Sequence, residues 1–353
     1  MHSIRIAPLL LAAAALFAPL ASAQSLPALS LDHPKWVSAE SFTSVSAVRE
    51  LKGGEIVVAD QSDVGVYLLS AVGTNRRKLG RAGAGPNEYA SPSELIRLPG
   101  DSTLLLDFNA RRYLIIDPVG RLVATTPFPA GAPDGLSMMR GADHEGRIYF
   151  QATGFAESPS GLVAIQRWDR RSGRVDSLAV VLVANPKPFE RTVNGHTVTI
   201  RQLAPYAPVD DWAVAPSGRL ALIRESPYLV EWRELDGRTV RGAAVTAVPV
   251  AVTDADKKVR EPRGPPFTLN YPATKPVMRV GYAVIDPEDR VWVRRSQSAT
   301  ATQSEWDIFD RTGKRLGSRM IPSNMRIAAF TARTVYVVRR DSDDLEWLEG
   351  YAR

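Results

Sequence analysis

From about residue 44 onward the sequence keeps returning to one unit: a short β-rich run, a tight turn, then a second run of alternating Val, Ile, Leu, Tyr or Trp. The turns are Lys52-Gly53-Gly54-Glu55, Pro99-Gly100-Asp101-Ser102, Asp143-His144-Glu145-Gly146-Arg147, Ala215-Pro216-Ser217-Gly218-Arg219, Asp286-Pro287-Glu288-Asp289-Arg290 and Thr331-Ala332-Arg333-Thr334. Each feeds a run such as Ile56-Val57-Val58-Ala59-Asp60 or Val291-Trp292-Val293. Gly and Asp recur there because they accept the backbone angles of tight turns. A second turn follows in phase in the first five units, as in Asp117-Pro118-Val119-Gly120-Arg121 and Arg311-Thr312-Gly313-Lys314. Two hairpin turns per unit make a meander of about four strands, the content of a propeller blade. The first two intervals, Gly54 to Asp101 and Asp101 to Gly146, are 47 and 45 residues, which fits blades packed radially about an axis. Helical periodicity is nearly absent past the N-terminus. The expectation is an all-β fold, a six-bladed β-propeller of four-stranded antiparallel blades.

The blades are expected at about 44–80, 91–128, 137–184, 209–250, 278–321 and 325–353, in a single domain spanning 24–353. Two intervals are longer, 72 and 71 residues, and each holds an insertion. The first, 185–207, contains a hairpin pattern centred on Asn194-Gly195; read as a degenerate blade it would raise the count to seven. The second, 253–276, is polar and carries five prolines, which cannot feed a central ladder and predict an irregular surface loop. The last unit has length for about three strands, and the segment around Lys35-Trp36-Val37-Ser38 is β-prone and otherwise without a place. Pairing it as the missing outer strand would close the ring and remove exposed edges.

Residues 1–23 have the layout of a cleavable signal peptide: Arg5, an apolar run from Ile6 to Leu20, and Ala21-Ser22-Ala23 before the cut. Pro8 and Pro19 break the run, and it falls short of a spanning helix. The expected location is therefore periplasmic or extracellular, with no transmembrane anchor after cleavage. The chain has no cysteine, so an exported fold of this kind relies on its core rather than on disulfides. The formal charge is +6, but 38 acidic residues are interspersed among 44 basic ones and no Lys/Arg run exceeds the three of Arg76-Arg77-Lys78. Nucleic acid is not the expected partner.

The loop Leu79-Gly80-Arg81-Ala82-Gly83-Ala84-Gly85-Pro86-Asn87-Glu88-Tyr89 resembles the GxxGxGPxEF signature of bacterial exported six-bladed β-propellers, relatives of the NHL-repeat and TolB-like propellers. The stretches Gly218-Arg219 to Pro227-Tyr228, Trp232 with Asp236-Gly237-Arg238, and Arg290 to Arg295 fit the same group. The resemblance implies fold and export; most members of the group have no assigned activity. Asn87 stands where the group more often has Gly, and asparagine tolerates a left-handed backbone.

The chemistry-bearing residues are few. Pro86-Asn87-Glu88 follows the glycines where a phosphate loop needs Gly-Lys-Ser/Thr, so that loop reads as a tight crossover between blades. Past His2 only His33, His144 and His196 occur, which disfavours a zinc site or a Ser/His/Asp triad. Trp212, Trp232, Trp292 and Trp306 fall in strands and are expected to pack between blades. The informative set lies where the second strand of each blade ends, because those ends gather around one mouth of the channel. In order they are Asp60, Asp107 with Asn109, Gln151, Arg224, Arg294 with Arg295, and Arg339 with Arg340. Alternation puts Arg224, Arg295 and Arg339 in phase with apolar neighbours.

Arginine forks suit carboxylates and phosphates, so this face reads as a ligand-binding mouth for a small anion or an envelope protein partner. The bland alternative is that the arginines pair with the acids and hold the blades together. The competing function is a Ca²⁺-dependent hydrolase or lyase, lactonase-like, using Asp60, Asp107 and Asn109 as oxygen ligands. No catalytic residue is assigned and no cofactor beyond that Ca²⁺ is expected.

Overall fold

In the computed structural model, which describes residues 26, 29–129, 138–152, 161–183, 187–193, 196–202, 205–259, 269 and 271–353, the repeat becomes six four-stranded antiparallel sheets. Five are continuous in sequence, spanning 45–78, 92–127, 139–182, 211–241 and 284–322. The sixth joins three C-terminal strands, Met325–Phe330, Thr334–Arg340 and Glu346–Ala352, to Trp36–Val37 from the other end of the chain. The first strand of each sheet is innermost, and each inner strand contacts the next around a closed ring. The fold is a six-bladed β-propeller.

The turns explain why each meander closes where it does. In blade 3, Asp143 Oδ1 accepts from the amides of Glu145 and Arg147, both at 3.0 Å, while its Oδ2 accepts from Arg147 Nε at 2.6 Å and the Tyr149 hydroxyl at 3.1 Å. In blade 5, Asp286 does the same with Glu288, Arg290 and the indole of Trp292. One carboxylate thus fixes the turn, the arginine four residues on and the aromatic two further along. Gly146 in the first of these turns has φ of 78°, and Asp289 takes the same left-handed role in the second with φ of 57°.

The core is divided by blade interface. Six apolar clusters each bridge two neighbouring blades, so every blade is clamped on both faces. Trp212, Trp232, Trp292 and Trp306 are fully buried in them, as packing residues. The glycine loop is a crossover between blades 1 and 2: the Arg112 guanidinium donates to the carbonyls of Gly83, Ala84 and Glu88, and Tyr89 donates its hydroxyl to Leu79 O. Asn87 there has φ of 57°.

Both insertions depart from the blade plan. Strands Lys187–Val193 and His196–Gln202 pair only with each other, so the first is a separate hairpin and not a seventh blade; its Asn194-Gly195 centre and residues 184–186 and 203–204 lie outside the described residues. The second, expected to be irregular, holds a helix at Asp254–Val259, while residues 260–268 and 270, with three of its five prolines, lie outside the described residues. Thr253 and Asp256 cap it reciprocally: the Asp256 carboxylate accepts the Thr253 amide at 2.9 Å, and Thr253 Oγ1 accepts the Asp256 amide at 3.3 Å. Residues 1–25, with the expected signal peptide, also lie outside the described part.

The seam rests on Trp36. Its cross-strand partner is Gly350, whose other neighbour is Tyr336, and the Trp36 and Tyr336 rings sit 6.0 Å apart over that glycine. A Cβ on Gly350 would meet the Trp36 ring at 2.3 Å. Trp36→Ala is therefore expected to destabilise the fold by about 2–4 kcal/mol, read as a fall of several degrees in Tm. A melt unchanged by this substitution would show that the ring does not depend on this strand.

Candidate functional site

The second strands of the blades end on one face, together with the connections that run from blade to blade. The acids there serve those connections. Asp60 accepts the amides of Thr43 and Ser44 at 2.7 and 3.0 Å, and Asp107 accepts those of Ala90 and Ser91 together with Arg112 Nε at 2.8 Å. Both carboxylates are completely buried, each fixing the segment that enters its own blade, while Asn109 is exposed on the turn beyond. Among the described residues no three His, Cys, Asp or Glu side chains come together as a metal site.

Four of the five arginines singled out in sequence are ion-paired. Arg224 bonds Asp210 at 2.8 Å and Glu231 at 3.0 Å; Arg295 lies 3.5 Å from Glu305 and 3.7 Å from Asp307. Arg339 meets Glu349 at 2.5 Å, and Arg340 reaches Glu346 at 3.4 Å and Asp344 at 3.7 Å. Arg294 is the exception. It is 4% exposed, and among the described residues it has no carboxylate partner. Its Nη2 donates to Ser323 O at 2.9 Å, while Nε has no acceptor. Its compensation is aromatic: the guanidinium lies 5.2 Å from the Tyr282 ring centre and 6.0 Å from that of Trp306, its cross-strand partner.

A second guanidinium, without a carboxylate partner among the described residues, shares that ring. Arg279 stands 4.8 Å from the Tyr282 centre, its main chain bonded to Arg294 O. Burial, and then the neighbouring Arg279 charge, lower the Arg294 pKa to about 10. Two like charges around one ring, one of them desolvated, is an arrangement that an anion would relieve.

Both arginines line a cavity of about 700 Å³ over blades 3 to 5. Its polar wall includes Arg140, Lys275 and Gln297, and its apolar wall includes Val183 and Met278. The two insertions meet here. Tyr206, at the end of the first, faces Lys275, at the end of the second, with the ammonium 5.2 Å from the ring centre. Lys275 is held by Asp256 of the capped helix at 2.5 Å, and Asp256 also accepts the Ala299 amide at 2.9 Å. Both segments that break the repeat thus contribute to the cavity wall.

Sequence alternation had favoured Arg295 over Arg294, since only the former is in phase with Val293. What separates them is the set of non-local partners, Glu305 and Asp307 for one and Tyr282 with Trp306 for the other, which the local pattern does not carry. Arg279, Gln297 and Tyr206 gave no sequence signal, because each sits in a connection or an insertion.

Beneath the cavity wall, Glu225 accepts the amides of Val277 at 2.5 Å and Met278 at 3.3 Å, and burial pushes its carboxyl up to about 7. Glu94, on the inner strand of blade 2, is likewise pushed up to about 7 by burial, with Arg140 acting in the opposite direction.

No protein-family model matches this chain, and no curated protein matches it. Solved structures do. A predicted exported protein from Bacteroides fragilis superposes with a TM-score of 0.53 at 10% identity, over 89% of this chain and 92% of that one. Virginiamycin B lyase from Staphylococcus aureus gives 0.47 at 10% identity, over 88% and 96%. A gluconolactonase from Xanthomonas campestris gives 0.48 at 12% identity, over 88% and 87%. At such identities the likeness is one of fold. Among the described residues, no helix is long and apolar enough to cross a membrane.

A carboxyl whose pKa rises on folding contributes stability that is complete below its unfolded value and is lost as pH climbs through the folded value. For Glu94 and Glu225 that window runs from about 4.5 to about 7. The unfolding free energy from urea titration is expected to fall by roughly 1–3 kcal/mol across it on account of Glu94, and the decline should be smaller by that amount in Glu94→Gln, where only Glu225's share remains. Parallel pH profiles for the two proteins would contradict the shift.

Proposed function

We propose that this chain is an exported binding module that captures small anions in the cavity over blades 3 to 5, with Arg294 as the anchor and Arg279 as the second cation. The observation that carries the reading is the contrast among the arginines of this face. Arg224, Arg295, Arg339 and Arg340 have carboxylates, whereas Arg294 is buried without one among the described residues. A guanidinium offers two parallel donors to a carboxylate or phosphate, and such bonds strengthen where water is excluded. The apolar residues beside it suit an anion with an apolar body.

The export half rests on the N-terminal pattern of Arg5, an apolar run and Ala21-Ser22-Ala23. The first-blade loop supports grouping with the exported NHL- and TolB-like propellers, and on this reading the ligand or an envelope partner is met in the periplasm or outside the cell. The competing Ca²⁺-dependent hydrolase or lyase reading has less support. Asp60 and Asp107 are committed to backbone amides of their own blades, which leaves that oxygen set poorly fitted to a shared ion.

Isothermal titration with small carboxylates bearing apolar tails tests the proposal. Arg294→Met is expected to weaken binding about 10- to 100-fold, the worth of a charge-assisted hydrogen bond. The same substitution removes a buried charge that has no carboxylate partner, so Tm without ligand should stay level or rise. A variant that melts lower yet binds as well as the parent would make Arg294 a structural residue.

A further inference from the structure

Four buried side-chain polar atoms lack a hydrogen-bond partner among the described residues, and three belong to blade 5: Arg294 Nε, Gln297 Oε1 and Trp306 Nε1. Native folds keep such orphans few, and each calls for an explanation. Two of these residues, Arg294 at the end of its strand and Gln297 three positions on in the connection that follows, line the same cavity. Their needs are opposite. Arg294 Nε is a donor without an acceptor; Gln297 Oε1 is an acceptor without a donor.

Resting on the reading of Arg294 as an anion site, we infer that the ligand carries a neutral hydrogen-bond donor beside its carboxylate: it is a hydroxy acid with an apolar body. A plain carboxylate would satisfy the arginines and leave Gln297 Oε1 buried and unpaired. A hydroxyl on the same molecule donates to that oxygen. An ammonium could also donate, but the cavity discriminates against it. Arg279 and Arg294 line the wall with no carboxylate partner among the described residues, while Arg140 and Lys275 are matched by Asp211 and Asp256, so a second positive charge would meet two uncompensated cations.

The two acids of the lining are already committed. Asp256 is bound to Lys275 and to the Ala299 amide, and Asp210 is bound to Arg224 and to the amides of Leu182 and Glu225. Among the described residues no lining carboxylate is left to receive an ammonium group. The apolar remainder of the ligand has Val183, Val209 and Met278 to lie against, with the Tyr206 ring at the rim of the insertions.

Four probes that share one apolar body separate these claims: 3-phenylpropionate, its 2-hydroxy and 3-hydroxy derivatives, and phenylalanine. Titration calorimetry on the full mature chain should show one hydroxy derivative binding about 5- to 30-fold tighter than the parent acid, the scale of satisfying a buried acceptor. Phenylalanine should bind no better than the parent. Gln297→Leu should erase the hydroxy advantage while 3-phenylpropionate keeps its affinity, and Arg294→Met should weaken all of the acids. Equal affinity for parent and hydroxy acids in the wild-type chain would overturn the inference and leave the anion site standing, provided Arg294→Met still weakens both. Tighter binding of phenylalanine would overturn the neutral donor. Binding of the acids indifferent to Arg294→Met would remove the anion site, and this inference with it.

Discussion

A ring of sheets has no free edge only when its two ends are joined, and here two residues do the joining. Trp36 and Val37 pair with Gly350 and Glu349, which turns three C-terminal strands into a four-stranded blade like the others. The seam is reinforced from the mouth side: Glu346 accepts the Val45 amide of blade 1 at 2.7 Å and pairs with Arg326 of the innermost strand of blade 6 at 3.2 Å. Because every apolar cluster lies between two blades, loss of the seam would expose the cluster it covers and slacken the rest of the ring. The cavity depends on this closure too, since its walls come from three blades and hold their spacing only while the ring does.

The second constraint is charge. Buried carboxylates at the mouth hold the connections between blades through backbone amides, and most arginines on that face are matched to acids. This is the economical arrangement for ionised groups taken out of water. Arg294 breaks it. Its guanidinium is buried against Tyr282 and Trp306 instead, with Arg279 across the same ring. Sites that break a rule obeyed elsewhere in the same molecule are where function is to be sought. That two insertions foreign to the repeat converge on the same cavity points the same way.

The fold was legible because its information is local. An Asp, two or three residues, a Gly and an Arg specify a turn wherever they occur, and the regular recurrence of that turn specifies blades. The homeless β-prone segment at Trp36 could be placed because the last unit was one strand short. The helix at Asp254–Val259 escaped because it is a single capped turn in proline-rich surroundings, too brief for periodicity to show. The mouth was readable as a list of strand ends, including Arg294, but not as a set of pairs. Which arginine meets an acid and which meets a ring is decided by Tyr282, Glu305 and Asp307, brought together only by the register of blade 5 and the connection before it.

An anion in the space between Arg294 and Arg279 is the feature on which the binding site depends. Crystals of the protein soaked with 4-bromobenzoate, with data collected at the bromine edge, locate the ligand without reference to any assay. An anomalous peak is expected inside the cavity over blades 3 to 5, with the carboxylate on Arg294 and the bromine toward Met278. A cavity without a peak, or peaks confined to exposed arginines on the outer surface, would contradict it.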